Sequence, residues 1–328
     1  MFKNQTILVT GATGSWGHEL VKQLLDKNPK EIRIFSRNES SQVSMQRLFM
    51  DKRLKFIIGD IKEKDSLVKA CEGTDYIFHL AALKHVPVCE DQPLEALKTN
   101  VHGTQNVIDA AIDNRVKKVI YISTDKAANP SNFYGLTKAM GERLIIHANT
   151  LETKTKFVCV RAGNVLGTNG SVIHVFKHQI RTKNQIGITH KDMTRFFLTI
   201  EDAIKLLFKA SYESVGGEIF VMKMPTCKIL DLAMVLIEDS GKTNVGITEL
   251  GIRPGEKLHE ILLSEFESQK TLCYDDNYYV ILPAIEVDGL AEHYAGLAPV
   301  NLTNYNSNED LMNKEEIKEL LRNGGFLN

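Results

Sequence analysis

Thr10-Gly11-Ala12-Thr13-Gly14-Ser15-Trp16-Gly17 decides the fold. It follows a β-branched run, Gln5-Thr6-Ile7-Leu8-Val9-Thr10, and precedes residues His18 to Leu25, which read as a helix. Strand, glycine turn and helix cradle phosphate, because a helix N-terminus offers backbone N–H groups and the positive end of its dipole. The glycine spacing is G-x-x-G-x-x-G, distinct from the commoner G-x-G-x-x-G fingerprint. Gly11 is expected to make the tight turn, Gly14 to let pyrophosphate approach the backbone, and Gly17 to let helix and strand pack closely. Thr13, Ser15 and Trp16 complete that expected contact set. An ordinary glycine-rich turn would look the same locally, so the decision rests on the rest of the chain.

The second strand, Glu31 to Phe35, ends at Ser36-Arg37, roughly twenty residues beyond the glycine turn, where a dinucleotide fold reads the adenosine ribose. A hydroxyl and a guanidinium there, with no acid until Glu39, favour NADP over NAD, because the arginine fork donates bidentate hydrogen bonds to a phosphate. Leu54 to Ile58 gives a third strand, closing on Asp60 and Ile61, placed to touch the adenine edge and cover its face. Asp60 serves equally well as a helix N-cap. Tyr76 to Leu80 is a fourth strand; after it Ala81 and Ala82 let a cofactor lie against the backbone, with Lys84 within reach of the same crevice.

The fifth strand, Val119 to Ile122, leads into Ser123-Thr124-Asp125-Lys126, followed by Tyr134 and Lys138. Hydroxyl, carboxylic acid, amines and phenol within so short a span are what is needed to oxidise a sugar carbon and then eliminate water beside it. Ligands of open parallel sheets bind beyond the carboxyl ends of the strands. The glycine turn, Ser36-Arg37, Asp60-Ile61, Ala81-Ala82 and Thr124-Asp125-Lys126 should therefore share one rim. Phe157 to Arg161 is a sixth strand. Beyond it the pattern becomes more mixed, with helices expected at Ile200 to Tyr212, Ile229 to Glu238 and Lys314 to Leu321, and a loop at Asn301 to Asn308. The expected fold is a doubly wound α/β Rossmann domain over residues 1–165, to which some later segments return, with a smaller mixed substrate-binding lobe and C-terminal extension over 166–328.

Composition agrees with a soluble enzyme and says little more, and a reduced cytoplasm fits the cysteine usage best. Lys+Arg 40 against Asp+Glu 41 leaves no electrostatic case for nucleic acid or an anionic membrane. Five dispersed cysteines, Cys71, Cys89, Cys159, Cys227 and Cys273, suggest neither a disulfide framework nor a zinc site. There is no apolar leader and no run long enough to span a bilayer. His174 and His178 have the spacing of a metal pair, but no Cys, Asp or Glu nearby completes it.

These segments carry a resemblance. The glycine turn and Tyr134-x-x-x-Lys138 resemble the extended short-chain dehydrogenases/reductases. Ala81 to Pro87, Ser123 to Pro130, Met193 to Phe196 and Gly251 to Glu260 resemble, more narrowly, the inverting UDP-N-acetylglucosamine 4,6-dehydratases of pseudaminic acid biosynthesis. The likeness runs from about residue 5 to 285. Most sugar dehydratases carry Asp-Glu where this chain has Asp125-Lys126, and membrane-anchored relatives usually carry Met in place of Tyr134. Two positions depart from the family pattern: Ala162 stands where Tyr is frequent, and Thr168-Asn169-Gly170 where Ser-Arg-Gly is frequent.

The resemblance implies NADP as cofactor, a UDP-sugar substrate and a homo-oligomer. It implies that Tyr134 takes the C4 hydroxyl proton, with Lys138 lowering its pKa, while Thr124 orients the C4 oxygen. Asp125 would protonate the departing C6 hydroxyl, and Lys126 would remove the C5 proton, for which its amine must be neutral part of the time. Lys84, Asn164, Arg195, Arg253 and Glu256 would hold the UDP-sugar, the two arginines as phosphate forks. A UDP-hexose 4-epimerase, a nucleotide-sugar reductase and a non-catalytic Rossmann sensor are the rival expectations; an epimerase has no use for the acid and base at Asp125 and Lys126.

Overall fold

The computed structural model describes residues 1–168 and 170–327. Asn169, one of the positions departing from the family pattern, lies outside the described residues. Six strands arise as expected: β1 (Thr6–Thr10), β2 (Glu31–Ser36), β3 (Leu54–Ile58), β4 (Tyr76–His79), β5 (Lys118–Thr124) and β6 (Lys156–Ala162). β1 and β4 are buried along their whole lengths, as strands covered on both faces by helices must be. The later chain supplies β7 (Asn164–Val165), β8 (Gln185–Ile188), β9 (Thr194–Leu198), β10 (Ile219–Met222), β11 (Thr226–Lys228), β12 (Gly246–Glu249), β13 (Ile261–Leu263), β14 (Thr271–Cys273), β15 (Tyr278–Ile281) and β16 (Tyr305–Asn306).

The main sheet runs β14-β15-β10-β6-β5-β4-β1-β2-β3. From β3 to β10 every pairing is parallel, and β15 and β14 then close the edge antiparallel. This is the Rossmann doubly wound sheet, whose strand order reverses between β1 and β4 and so opens a crevice at their carboxyl ends. Three strands from beyond residue 165 extend it, and the smaller sheets β11-β9-β7, β12-β8 and β13-β16 stand beside it. Asn301 to Asn308, expected as a loop, contains β16, because pairing with β13 uses backbone groups that composition does not report. The helix after the glycine turn begins at Ser15, earlier than the apolar pattern indicated. No helix among the described residues is long and apolar enough to cross a membrane.

Two apolar cores result. The larger covers the main sheet and includes Tyr278, Leu290 and Tyr294 from the late chain. The second, with Leu166, Ile173, Phe176, Leu232 and Leu236, is closed by Ile317 and Leu321 of the Lys314–Asn323 helix.

What fixes the late chain against the sheet is an ionic cluster. Arg161 on β6 is 0% exposed. Its Nε and Nη2 donate to the two oxygens of Glu142 at 3.0 and 2.7 Å, and its Nη1 and Nη2 donate to Glu267 at 3.1 and 2.9 Å. A further Nη1 bond reaches Leu262 O at 2.9 Å. Glu142 lies on the Phe133–His147 helix, and Glu267 closes a capping box with Ser264. Burial raises the Glu267 carboxyl, but the guanidinium and the Ser264 bonds override it and bring it down to about 2.

Arg161→Met should therefore leave the buried Glu142 carboxylate without its partner and Glu267 with only its Ser264 bonds, and cost about 3–5 kcal/mol at neutral pH. A carboxylate depressed in the fold contributes stability above its unfolded pKa of about 4.3 and loses it as pH falls through the folded value. The gap between wild type and mutant should thus narrow as pH falls from about 4 towards 2, read by urea unfolding across that range. A gap independent of pH would mean that packing, and not charge, is what Arg161 contributes.

Candidate active site

The carboxyl ends of β1 to β6 open into a cleft of about 690 Å³. At its base Gly11 has φ +69°, and a Cβ there would come within 2.8 Å of the Ala81 backbone. Only glycine suits that approach. A Cβ on Gly17 would sit 2.1 Å from Ala12 O, so this glycine lets the Ser15–Leu25 helix lie on β1. Gly14 differs: a Cβ there would meet only Gly11 O, at 3.5 Å. It caps the helix with no side-chain hydrogen bond, so the helix entrance faces the cleft as bare backbone. That cradle fits the pyrophosphate of a dinucleotide.

Thr13, Ser15, Trp16, Ser36, Arg37, Asp60, Ile61, Ala81 and Ala82 line the same cleft. Ser36 is fixed by Gln42, whose Nε2 donates to its Oγ at 3.0 Å and its carbonyl at 2.9 Å. The Arg37 side chain is 58% exposed and lies 3.8 Å from Asp60, so it can turn to a ligand. Asp60 does not cap a helix: its Oδ1 accepts from Lys62 N, and the next helix is capped at Glu63. Ile61 is buried, its side chain filling the space over Gly103.

Thr124, Lys126, Tyr134 and Lys138 line the opposite end. Asp125 lies behind them, 1% exposed. Its Oδ1 accepts from Thr124 Oγ1 at 2.7 Å and from Lys126 Nζ at 3.1 Å, while its Oδ2 has no hydrogen-bond partner. Lys126 Nζ also lies 3.4 Å from Glu260 Oε1. Burial disfavours the ammonium, but Asp125 and Glu260 outweigh it and raise the amine's pKa above the ordinary lysine value. The neutral amine expected of a base is therefore not the form that the ligand-free site favours.

A second expectation is also revised. Burial pushes the Tyr134 phenol up to about 12, and the cation that opposes this rise is Lys126, with help from the Thr124 hydroxyl. Lys138 points elsewhere: its Nζ donates to Ile122 O at 2.7 Å and lies 3.8 Å from the centre of the Tyr121 ring. The i,i+4 spacing put Lys138 and Tyr134 on one helix face, but the Ile122 carbonyl on β5 takes the amine instead.

The expected sugar and diphosphate residues divide. Lys84 and Asn164 line the cleft, as do Ala162 and Thr168; burial lowers the Lys84 pKa. Arg195, Arg253 and Glu256 are outside that lining. Arg195 is no free phosphate fork: 6% exposed, it donates to Thr194 O, Leu258 O, Lys257 O and Glu256 Oε1. On β9 it lies under the 256–260 segment and clamps it. Arg253 is exposed on the preceding turn, which is docked at the N-cap of the Phe133–His147 helix through Gly255 O, accepting from Ser131 Oγ and Asn132 Nδ2.

Two residues had no assigned role in the sequence. Asn100 donates to Leu83 O at 2.9 Å and Thr137 Oγ1 at 2.9 Å and accepts from Leu83 N at 2.8 Å, pinning the loop after β4 to the helix that carries Tyr134. An amide in a buried helical run was its signal. Glu260 is the other, a carboxylate entering the apolar run Ile261-Leu262-Leu263.

A family described as polysaccharide biosynthesis protein matches residues 7–282. A UDP-N-acetylglucosamine 4,6-dehydratase (inverting) of Campylobacter jejuni is 43% identical over 88% of this chain and 85% of its own. A UDP-glucose 4-epimerase of Rickettsia felis is 42% identical over 98% of this chain and 97% of its own. Among solved structures, Pen from Bacillus thuringiensis superposes with a TM-score of 0.91 at 39% identity, covering 98% of this chain and 99% of that one.

Burial brings the Lys138 amine down to about 7, against Glu142, which favours its charge. The unfolded chain, with a lysine pKa of about 10.4, binds the extra proton between those values, so this group's contribution to stability rises with pH across that window. Lys138→Met should gain most over wild type near pH 6 and lose about 1 kcal/mol or more of that advantage by about pH 10. Urea unfolding of both proteins at the two pH values reads this; an advantage that grows with pH would show a stably charged amine.

Proposed function

The chain belongs to the polysaccharide biosynthesis protein family, and from that premise we propose that it dehydrates UDP-N-acetylglucosamine across C5 and C6 with inversion at C5, giving UDP-2-acetamido-2,6-dideoxy-β-L-arabino-hex-4-ulose. The observation that carries the reading is the pairing of Asp125 and Lys126 at 3.1 Å beside Thr124 and Tyr134. A 4-epimerase needs the phenol and the lysine after it, but gains nothing from a second amine hydrogen-bonded to a buried carboxylate. The relative of the same family named an epimerase makes product identity the decisive measurement.

The residues of the glycine cradle with Ser36 and Arg37 would hold NADP, Arg37 taking the extra phosphate. When bound, its nicotinamide supplies reversible hydride acceptance, so the net reaction is redox-neutral. Thr124 orients the C4 oxygen and Tyr134 takes its proton, for which the phenol pKa must fall from its ligand-free value. The C4 ketone acidifies the C5 proton. Transfer of one proton along the Lys126–Asp125 hydrogen bond then makes the base and the acid together: a neutral amine to take the C5 proton and a carboxylic acid to protonate the departing C6 hydroxyl. Neither tautomer of the pair carries net charge, and exclusion of water by a bound sugar favours the uncharged one.

Lys84 and Asn164 would meet the sugar and diphosphate in the cleft, and Arg253 would close on the diphosphate from its turn; Arg195 and Glu256 would act there by fixing that turn. The second apolar core, Leu166 to Leu321, forms the substrate lobe on this reading. Five free cysteines, four of them buried, suit a cytoplasmic enzyme, and exposed Leu136 and Met140 on the catalytic helix suit a homo-oligomer.

Lys126→Ala should abolish elimination and, because Lys126 is also the cation that restrains the Tyr134 phenol, slow C4 oxidation without abolishing it. Added UDP-N-acetylglucosamine should still raise the absorbance of reduced nicotinamide on the protein, while solvent deuterium fails to enter C5 and no 4-keto-6-deoxy sugar accumulates. Near wild-type dehydration by this variant would remove Lys126 from the base role. A C4 epimer as the sole wild-type product would remove the dehydratase reading altogether.

Cofactor choice is tested at Arg37. Wild type should bind NADP at least about tenfold more tightly than NAD, the scale of one charge-assisted bond to phosphate, and Arg37→Asp should erase or reverse that ratio in dinucleotide titrations. Equal affinities in wild type would end the 2′-phosphate assignment.

A further inference from the structure

Glu260 is buried, its side chain 4% exposed, and the function above leaves it unused. Its backbone is fixed at both polar groups by Ser307: the N–H donates to Ser307 Oγ at 2.9 Å and the carbonyl accepts from Ser307 N at 2.9 Å. Its Oε1 stands between two cations, 3.4 Å from Lys126 Nζ and 3.6 Å from Arg195 Nε. Its Oε2 has no hydrogen-bond partner. Leaving a carboxylate oxygen buried and unpaired costs stability, so a carboxylate held this firmly at such a cost points to a task.

We propose that Glu260 is a positioning residue for the elimination, holding the Lys126 amine against Asp125 and setting the pH range in which that amine gives up its proton. The proposal rests on the dehydratase reading for its role in catalysis, though the coupling of the two groups stands on geometry. The charged and titratable groups facing Lys126 are Asp125 from its own turn, Tyr134 from the Phe133–His147 helix, Arg195 from β9, and Lys257 and Glu260 from the segment before β13. Of these, the two carboxylates favour its proton and Arg195 opposes it. Asp125 must also serve as the acid, so its charge changes during the reaction. Glu260 supplies a fixed anion that keeps the amine in place while the Asp125 proton moves.

Glu260→Gln retains the shape and removes the charge. Trace acetylation of the ligand-free protein with acetic anhydride over a pH series, read by mass spectrometry of the Lys126 peptide, measures the amine directly. In Glu260→Gln the onset of labelling should move about one pH unit or more to the acid side. The rising limb of dehydration against pH should move the same way, with C4 oxidation unchanged. Glu260→Asp, which keeps the charge, should stay nearer wild type than Gln in both. Unaltered labelling in a folded Gln variant overturns the proposal, as does an Asp variant shifted as far as Gln, which would make the effect one of packing. Shifted labelling in a protein whose wild type forms no 4-keto-6-deoxy sugar would sink the functional reading while upholding the Glu260–Lys126 coupling.

Discussion

The double fork of Arg161 is the constraint on which the rest of the structure depends. Its guanidinium sits buried between Glu142, which is buried with it, and the part-buried Glu267, and buried ion pairs are poor sources of net stability because desolvation consumes most of the Coulomb gain. Their better-attested use is register. Here the cluster joins three parts of the chain: β6, the helix that carries Tyr134 and Lys138, and the segment around Leu262 that returns to the main sheet from the second core. Because Arg161 directly precedes Ala162 at the cleft, a slip of any of the three would move the site itself. An apolar substitute could fill the volume, but it would not specify which turn of the helix meets which residue of the returning segment.

That fixed register lets charges from distant parts of the sequence meet. With Leu262 held by Arg161, the preceding residues Glu256 to Glu260 lie across the end of β5, where Arg195 clamps their carbonyls and Lys257 Nζ donates to Ala128 O at 3.0 Å. Glu260 is thereby brought to Lys126. The glycine cradle at the other end of the cleft follows a different physics. Its geometry is decided by what a Cβ would strike, and it requires nothing from the second core. The cleft thus joins a locally determined half to a half that exists only once the late chain has docked.

This division explains what the sequence disclosed. β1, the glycine turn and the helix after it are legible because steric exclusion at Gly11 and Gly17 acts between near neighbours and leaves a spacing. Thr124, Asp125, Lys126, Tyr134 and Lys138 are legible as a set because one strand end and one helix turn carry them all. The returning strands β10, β14 and β15 left no such trace, since their pairing joins backbones across long separations. Arg195 was read by its chemical type, and a guanidinium in a string carries no sign of whether it faces a phosphate or four protein acceptors. Glu260 went without a role for the converse reason: its meaning lies in a contact with a residue from the first half of the chain.

The charge arrangement also bears on why an amine follows Asp125. Two carboxylates side by side in a buried site repel, so one is driven to hold a proton and the pair is asymmetric from the start. An amine beside a carboxylate has no such conflict. It rests as an ion pair, and one proton transfer converts it to an uncharged acid and an uncharged base. Both forms have the same proton count, so the balance between them responds to hydration more than to pH. Glu260 and Arg195 add one charge of each sign behind the pair. On the proposed mechanism, a site built this way would stay paired while water reaches it and move towards the reactive tautomer when a bound sugar excludes the water, so that substrate occupancy itself would become the signal for elimination.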